Sequence, residues 1–108
     1  MSSVENNSVF RCAVVSVVKH AYVPNGVEVH PRFDLVVVCD DADQPDWVHE
    51  RNQLYADEHG IPYVRGIEEA IAEHDVQVAV VSSEAERHCD LVVRCAALGL
   101  HIVQDKPM

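Results

Sequence analysis

Residues 33–40, FDLVVVCD, decide the fold. The run is apolar without polar alternation, which describes a strand buried on both faces, and it ends on an acid. RCAVVSVV (residues 11–18) and VQVAVVSS (residues 76–83) repeat the pattern. HIVQ (residues 101–104) is a shorter example and PYV (residues 62–64) a minimal one.

Helical segments separate these runs. PDWVHERNQLYADEHG has an Asp just before Trp47 and closes on Gly60, a start and stop typical of helices. Its spacing predicts an inward face of Trp47, Arg51, Leu54 and Tyr55. GIEEAIAEH reads as a short helix, and EAERHCDLVVRCAALG as a longer one with a stripe of Cys89, Val92, Val93 and Ala96 and a stop at Gly99. A first crossover must lie between Lys19 and Pro31, where Pro24 and Gly26 weaken the helical signal. Strands alternating with helices, each strand apolar on both faces, make an α/β fold with a doubly wound parallel sheet. Such sheets bind ligands at the carboxyl ends of their strands.

With 108 residues the chain is one domain at most. Its formal net charge of −10 excludes nucleic acid and anionic membrane as natural partners, since both repel such a surface. No stretch approaches the roughly 18 consecutive apolar residues of a membrane helix. The opening MSSVENNSVF lacks a secretory pattern, and residues 1–10 are expected to form a flexible leader to a domain at residues 11–108. Cys12, Cys39, Cys89 and Cys95 show no C-x-x-C spacing, so buried reduced thiols, no metal and a cytoplasmic setting are expected.

The strand ends supply the candidate site. Asp40 and Asp41 follow the second long run, where an acid can accept from both hydroxyls of an adenosine ribose; a turn aspartate is the alternative. That charge repels a 2′-phosphate and no Arg follows closely, so NAD is favoured over NADP. After the first strand a dinucleotide protein carries G-x-G-x-x-G or G-x-G-x-x-A; here Ser16, Val18 and Ala21 stand at those positions. The first glycine permits the tight turn and the second admits the pyrophosphate, so serine and valine there argue against ordinary cofactor binding. Lys19 and His20 in the same loop can offer positive charge to an anion, or form a solvated pair. Ser82 and Ser83 offer hydroxyls after a later strand, Glu84 or Glu86 suits the following helix start, and His88 sits in that helix. At the end of the chain Asp105 can orient Lys106, and Pro107 restricts its backbone.

From Cys12 to Met108 the chain resembles the N-terminal nucleotide-binding domain of the Gfo/Idh/MocA oxidoreductases. HPRFDLVVVCDDAD looks like their second strand with its acid. YADEHGIPYVRGIEEAIAEHDVQVAVVSS looks like the middle of that domain, and ERHCDLVVRCAALGLHIVQDKPM like its closing pattern, which ends in E-K-P. The resemblance implies a Rossmann-like fold and a dinucleotide partner, NAD in preference to NADP. It also implies a C-terminal α/β domain that carries the substrate site and the oligomer interface. The chain therefore reads as a single truncated domain, the first of a longer homo-oligomeric enzyme, inactive as it stands. Lys106 would match the catalytic lysine of E-K-P, with Asp105 for the glutamate and Pro107 beside it. His88 would match the histidine after the T-P-N cofactor loop, and Asp40 the ribose-binding position. Ser16, Val18, Ser83 and Glu84 mark departures from the cofactor loops. They leave open a second reading, a non-catalytic or degenerate binding module.

Overall fold

The computed structural model describes residues 9–17, 32–82 and 85–104. Five strands, β1 (Phe10–Val17), β2 (Phe33–Cys39), β3 (Tyr63–Val64), β4 (Val78–Ser82) and β5 (His101–Gln104), form one parallel sheet in the order β3-β2-β1-β4-β5. Three described helices lie between them: α1 (Asp46–His59), α2 (Ile67–His74) and α3 (Ala85–Ala97). The predicted first crossover lies outside the described residues.

Continuous apolar runs become strands here because both faces of each are covered. Ala13, Val15, Val37, Cys39, Ala79 and Val81 pack on one side against Ile67 and Ala70 of α2 and Leu91 and Cys95 of α3. Cys12, Val14, Leu35, Val38, Val78 and Val80 face the other side, against Tyr55 and Ala56 of α1. Each fully buried side chain of this size contributes about 1.5–3 kcal/mol, so the central strands dominate the stability of the domain. Cys12, Cys39 and Cys95 belong to this core, whereas Cys89 is exposed. Burial pushes the Cys12 and Cys95 thiols up to about 11, and Cys39 is raised well above its ordinary value, also chiefly by burial.

The expected helix faces need correcting. Of the expected face of α1, Tyr55 is buried, but Trp47 and Leu54 are 51% and 60% exposed and Arg51 is exposed too. The helix buries Val48, His49, Asn52 and Ala56 beside Tyr55. In α3 Val93 is 65% exposed and Cys89 and Ala96 are also exposed, while Leu91 and Cys95 are buried and Val92 packs partly against the core. Both helices are turned so that polar residues on their inward faces can meet the sheet's carboxyl end. Helix α1 stops as the sequence predicts: Gly60 adopts φ 67° and its N–H donates to the Ala56 and Asp57 carbonyls. An apolar hollow of about 250 Å³, lined by Phe10, Phe33, Val78, His101 and Val103, lies at the opposite, amino-terminal end of the sheet.

Candidate functional site

Strand order reverses direction beside β1: the chain runs outward through β2 and β3, then crosses back to β4 on the other side. This switch point, at the carboxyl ends of β1 and β4, is where doubly wound sheets hold ligands. Ser16, Asp40 and Ser82 gather there, all buried.

Ser16 sits at an irregularity in the β1–β4 ladder, where Val15 pairs with Val81 and Val17 with Ser82. Its φ is 67°, the left-handed conformation that the first glycine of a dinucleotide turn would supply. Serine therefore does what the sequence reading reserved for glycine. The conformation costs on the order of 1 kcal/mol for a residue with a Cβ, and two polar contacts hold it. Arg87 Nη2 donates to Ser16 Oγ at 2.9 Å, and the next peptide, Val17 N–H, donates to Asn52 Oδ1 at 2.7 Å.

Asp40 is the centre of the cluster. Its side chain is 0% exposed. Oδ1 accepts from Arg87 Nη1 at 2.9 Å and from the Asp41 N–H at 2.8 Å. Oδ2 accepts from Arg87 Nη2 at 3.1 Å and Asn52 Nδ2 at 3.0 Å. A carboxylate offers about four acceptor positions, and these donors fill them. Asn52 Nδ2 also donates to the Tyr63 hydroxyl at 3.2 Å, which lies 2.5 Å from His49 Nδ1; His49 Nε2 is 3.2 Å from the Ala42 carbonyl. Burial, the largest influence, raises the Tyr63 hydroxyl's pKa.

Asp41 is paired as well. Arg94 Nη1 donates to its Oδ2 at 2.8 Å and Nη2 to its Oδ1 at 3.0 Å, and Arg94 also reaches Glu68 and Asp90. The Arg94 hydrogen bonds hold the Asp41 carboxyl below the ordinary carboxylate value. A depressed pKa gives stability that is present above the ordinary value of 3.8 and lost as pH falls through the lower folded value. The pair is partly exposed and screened, so Asp41→Asn should cost about 0.5–1 kcal/mol at neutral pH. Urea unfolding should show that difference shrinking as pH is lowered below 3.8.

Arg87, Leu91, Arg94 and Cys95 thus share the inward face of α3. The two arginines, which sequence reasoning passed over, answer the paired acids after β2. A signal existed: two adjacent acids closing a buried strand need cations, and both arginines flank apolar residues at helical spacing. Val18, Lys19, His20, Ser83, Glu84, Asp105, Lys106 and Pro107 lie outside the described residues. His88 belongs to α3, with its side chain outside the described set. Among the described residues, no group of three or more His, Cys, Asp or Glu could hold a metal ion, and no helix is long and apolar enough to cross a membrane.

The Ser16 turn yields a direct comparison. Ser16→Ala keeps the left-handed cost and loses the Arg87 acceptor, whereas Ser16→Gly loses the acceptor but relieves the backbone. Ser16→Gly should be the more stable of the two by about 1 kcal/mol in urea unfolding.

A parallel sheet with this strand order, turning at Ser16, defines a nucleotide-binding α/β domain. The family described as "Oxidoreductase family, NAD-binding Rossmann fold", the Gfo/Idh/MocA family, matches residues 10–108, and the chain belongs to it. GenD2 from gentamicin A biosynthesis, solved in complex with NAD, is similar at 25% identity and a TM-score of 0.73, over 93% of this chain and 27% of that one. The WlbA dehydrogenase of Chromobacterium violaceum, with NADH and UDP-GlcNAcA, shares the fold at 20% identity and a TM-score of 0.70, over 93% and 28%. KijD10, a 3-ketoreductase of Actinomadura kijaniata with NADP, does so at 20% and 0.72, over 93% and 30%. The chain therefore spans less than a third of the solved proteins it matches. No curated protein matches it.

Proposed function

We propose that the chain acts as the dinucleotide-binding domain of an NAD(P)-dependent oxidoreductase whose substrate is a sugar, a polyol or a related molecule. The family match over residues 10–108 carries this reading. The left-handed backbone at Ser16 fits a cofactor turn, since it reproduces the geometry glycine normally provides. Asp40 does not fit its expected part in the same way, because its acceptor positions serve Arg87, Asn52 and Asp41. The argument for NAD over NADP rested on a bare charge at Asp40, and that charge is paired here.

The cofactor supplies hydride chemistry when bound. For the protein's own residues, Lys106 is assigned to polarise the substrate oxygen and assist its proton transfer, oriented by Asp105 and Pro107. Lys19 and His20, which follow Val18 in the loop after β1, are assigned to an anion, and Ser83, Glu84 and His88 to the cofactor loop after β4. The roles of Lys106, Asp105 and His88 rest on the resemblance, and those of Lys19 and His20 on their charge and place in the loop. In a homo-oligomeric cytoplasmic enzyme they would be completed by residues beyond this chain, so the 108-residue protein alone is expected to show no turnover.

The occupied Asp40 favours a second reading, a binding module that has lost its dinucleotide. Titration with NADH and with NADPH separates the two, read by energy transfer from Trp47, the single tryptophan, and by calorimetry. Saturable binding supports the first reading. Absence of binding to both by a chain with a cooperative unfolding transition supports the second.

A further inference from the structure

We infer that Arg87 sets the cofactor preference of this domain, by taking the place at Asp40 that a ribose diol would take and by presenting a cation where a 2′-phosphate would come. The inference rests on the dinucleotide reading above and deepens it. Arg87 spans the gap between the turn of β1 and the end of β2, donating to Ser16 Oγ at one side and to both oxygens of Asp40 at the other. In a doubly wound sheet the adenosine ribose lies between these two points. A diol would offer two O–H donors to the acid; the guanidinium already offers two N–H donors in the matching fork geometry.

The electrostatic consequence is that the acid beside the ribose is neutralised. Discrimination against a 2′-phosphate needs an uncompensated acid beside the ribose. Here Asp40 is ion-paired with Arg87, and Asp41 pairs with Arg94, which it shares with Glu68 and Asp90. Asp40 is fully buried, whereas the Arg87 side chain keeps 19% of its surface exposed, so the arginine is the member of the pair that reaches the surface. Arg87 reaches the corner from α3, across 47 positions of sequence from Asp40, and not from the loop after β2. It is a specificity-determining position without being part of the turn or the acid.

The test is the ratio of NADPH to NADH affinity, measured by calorimetry on the purified chain and on Arg87→Gln. The wild-type chain should bind NADPH at least as tightly as NADH. Arg87→Gln removes the cation and frees acceptor positions on Asp40, and should shift the ratio toward NADH by about tenfold or more. A purely structural role for Arg87 would weaken both ligands alike and leave the ratio in place. Should the variant fail to fold, the wild-type ratio still decides: a preference for NADH of about tenfold or more overturns the inference. A folded variant that binds with an unchanged ratio overturns it too, leaving the dinucleotide reading intact. Binding of neither cofactor by the folded wild-type chain removes that reading, and this inference with it.

Discussion

Arg87→Ala lowers the unfolding free energy by about 3–5 kcal/mol, the range seen when one member of a buried ion pair is removed. The cause is Asp40. Its carboxylate is wholly buried, and without the guanidinium its donors among the described residues are the Asn52 amide and the Asp41 N–H. Ser16 Oγ loses its donor at the same time. Urea unfolding followed by far-ultraviolet circular dichroism measures the loss. A double variant, Arg87→Met with Asp40→Asn, should recover most of it, because the uncompensated charge is then gone while an amide keeps Asp40's shape. A loss below about 1 kcal/mol for Arg87→Ala would mean that the pair behaves as a screened surface contact.

Asn52→Leu should be nearly as costly, about 2–4 kcal/mol, although it keeps the branched side-chain skeleton and adds hydrophobicity. Asn52 is fully buried and serves three partners: it accepts from the Val17 N–H and donates to Asp40 and to the Tyr63 hydroxyl. Leucine leaves an N–H and a carboxylate oxygen without those contacts in a site closed to water. For a domain of this size the loss corresponds to a fall in Tm of roughly 10–25 °C. Leu54→Ala, two residues along the same helix but 60% exposed, is the contrast. Its Tm should move by no more than about 4 °C. Equal shifts for the two would remove Asn52 from the centre of the network.

These two residues also mark how far the sequence could be read. The sheet was legible because burial on both faces forces unbroken apolar runs, and FDLVVVCD and VQVAVVSS can be little else. The end of α1 at Gly60 was legible because only a left-handed residue closes a helix in that way. The faces of α1 and α3 were not, because hydropathy assigns inward positions to apolar side chains. Asn52, His49 and Arg87 turn inward for hydrogen bonds, and Trp47, Leu54 and Val93 are left facing outward. Within the site, the sequence placed Ser16 and Asp40 at strand ends but gave no sign of the partners each has there. Ser16 takes up glycine's backbone conformation with Arg87 of α3 on its hydroxyl, 71 positions away, and Asn52 of α1 on the next peptide, 35 positions from Val17. A motif read along one loop carries no information about contacts of that range.

The strand order has a consequence for how the protein is made. Among the described strands, β1 is the first in the chain and lies in the middle of the sheet. One of its two edges is paired only by β4, whose last residue is Ser82. Until Ser82 has been synthesised, this central strand has an open row of backbone donors and acceptors along that edge. Such late, non-local pairing slows folding and lengthens exposure to aggregation. The nascent chain is therefore most at risk over the interval between the emergence of β1 and that of β4, and this is the interval in which it would depend on a chaperone.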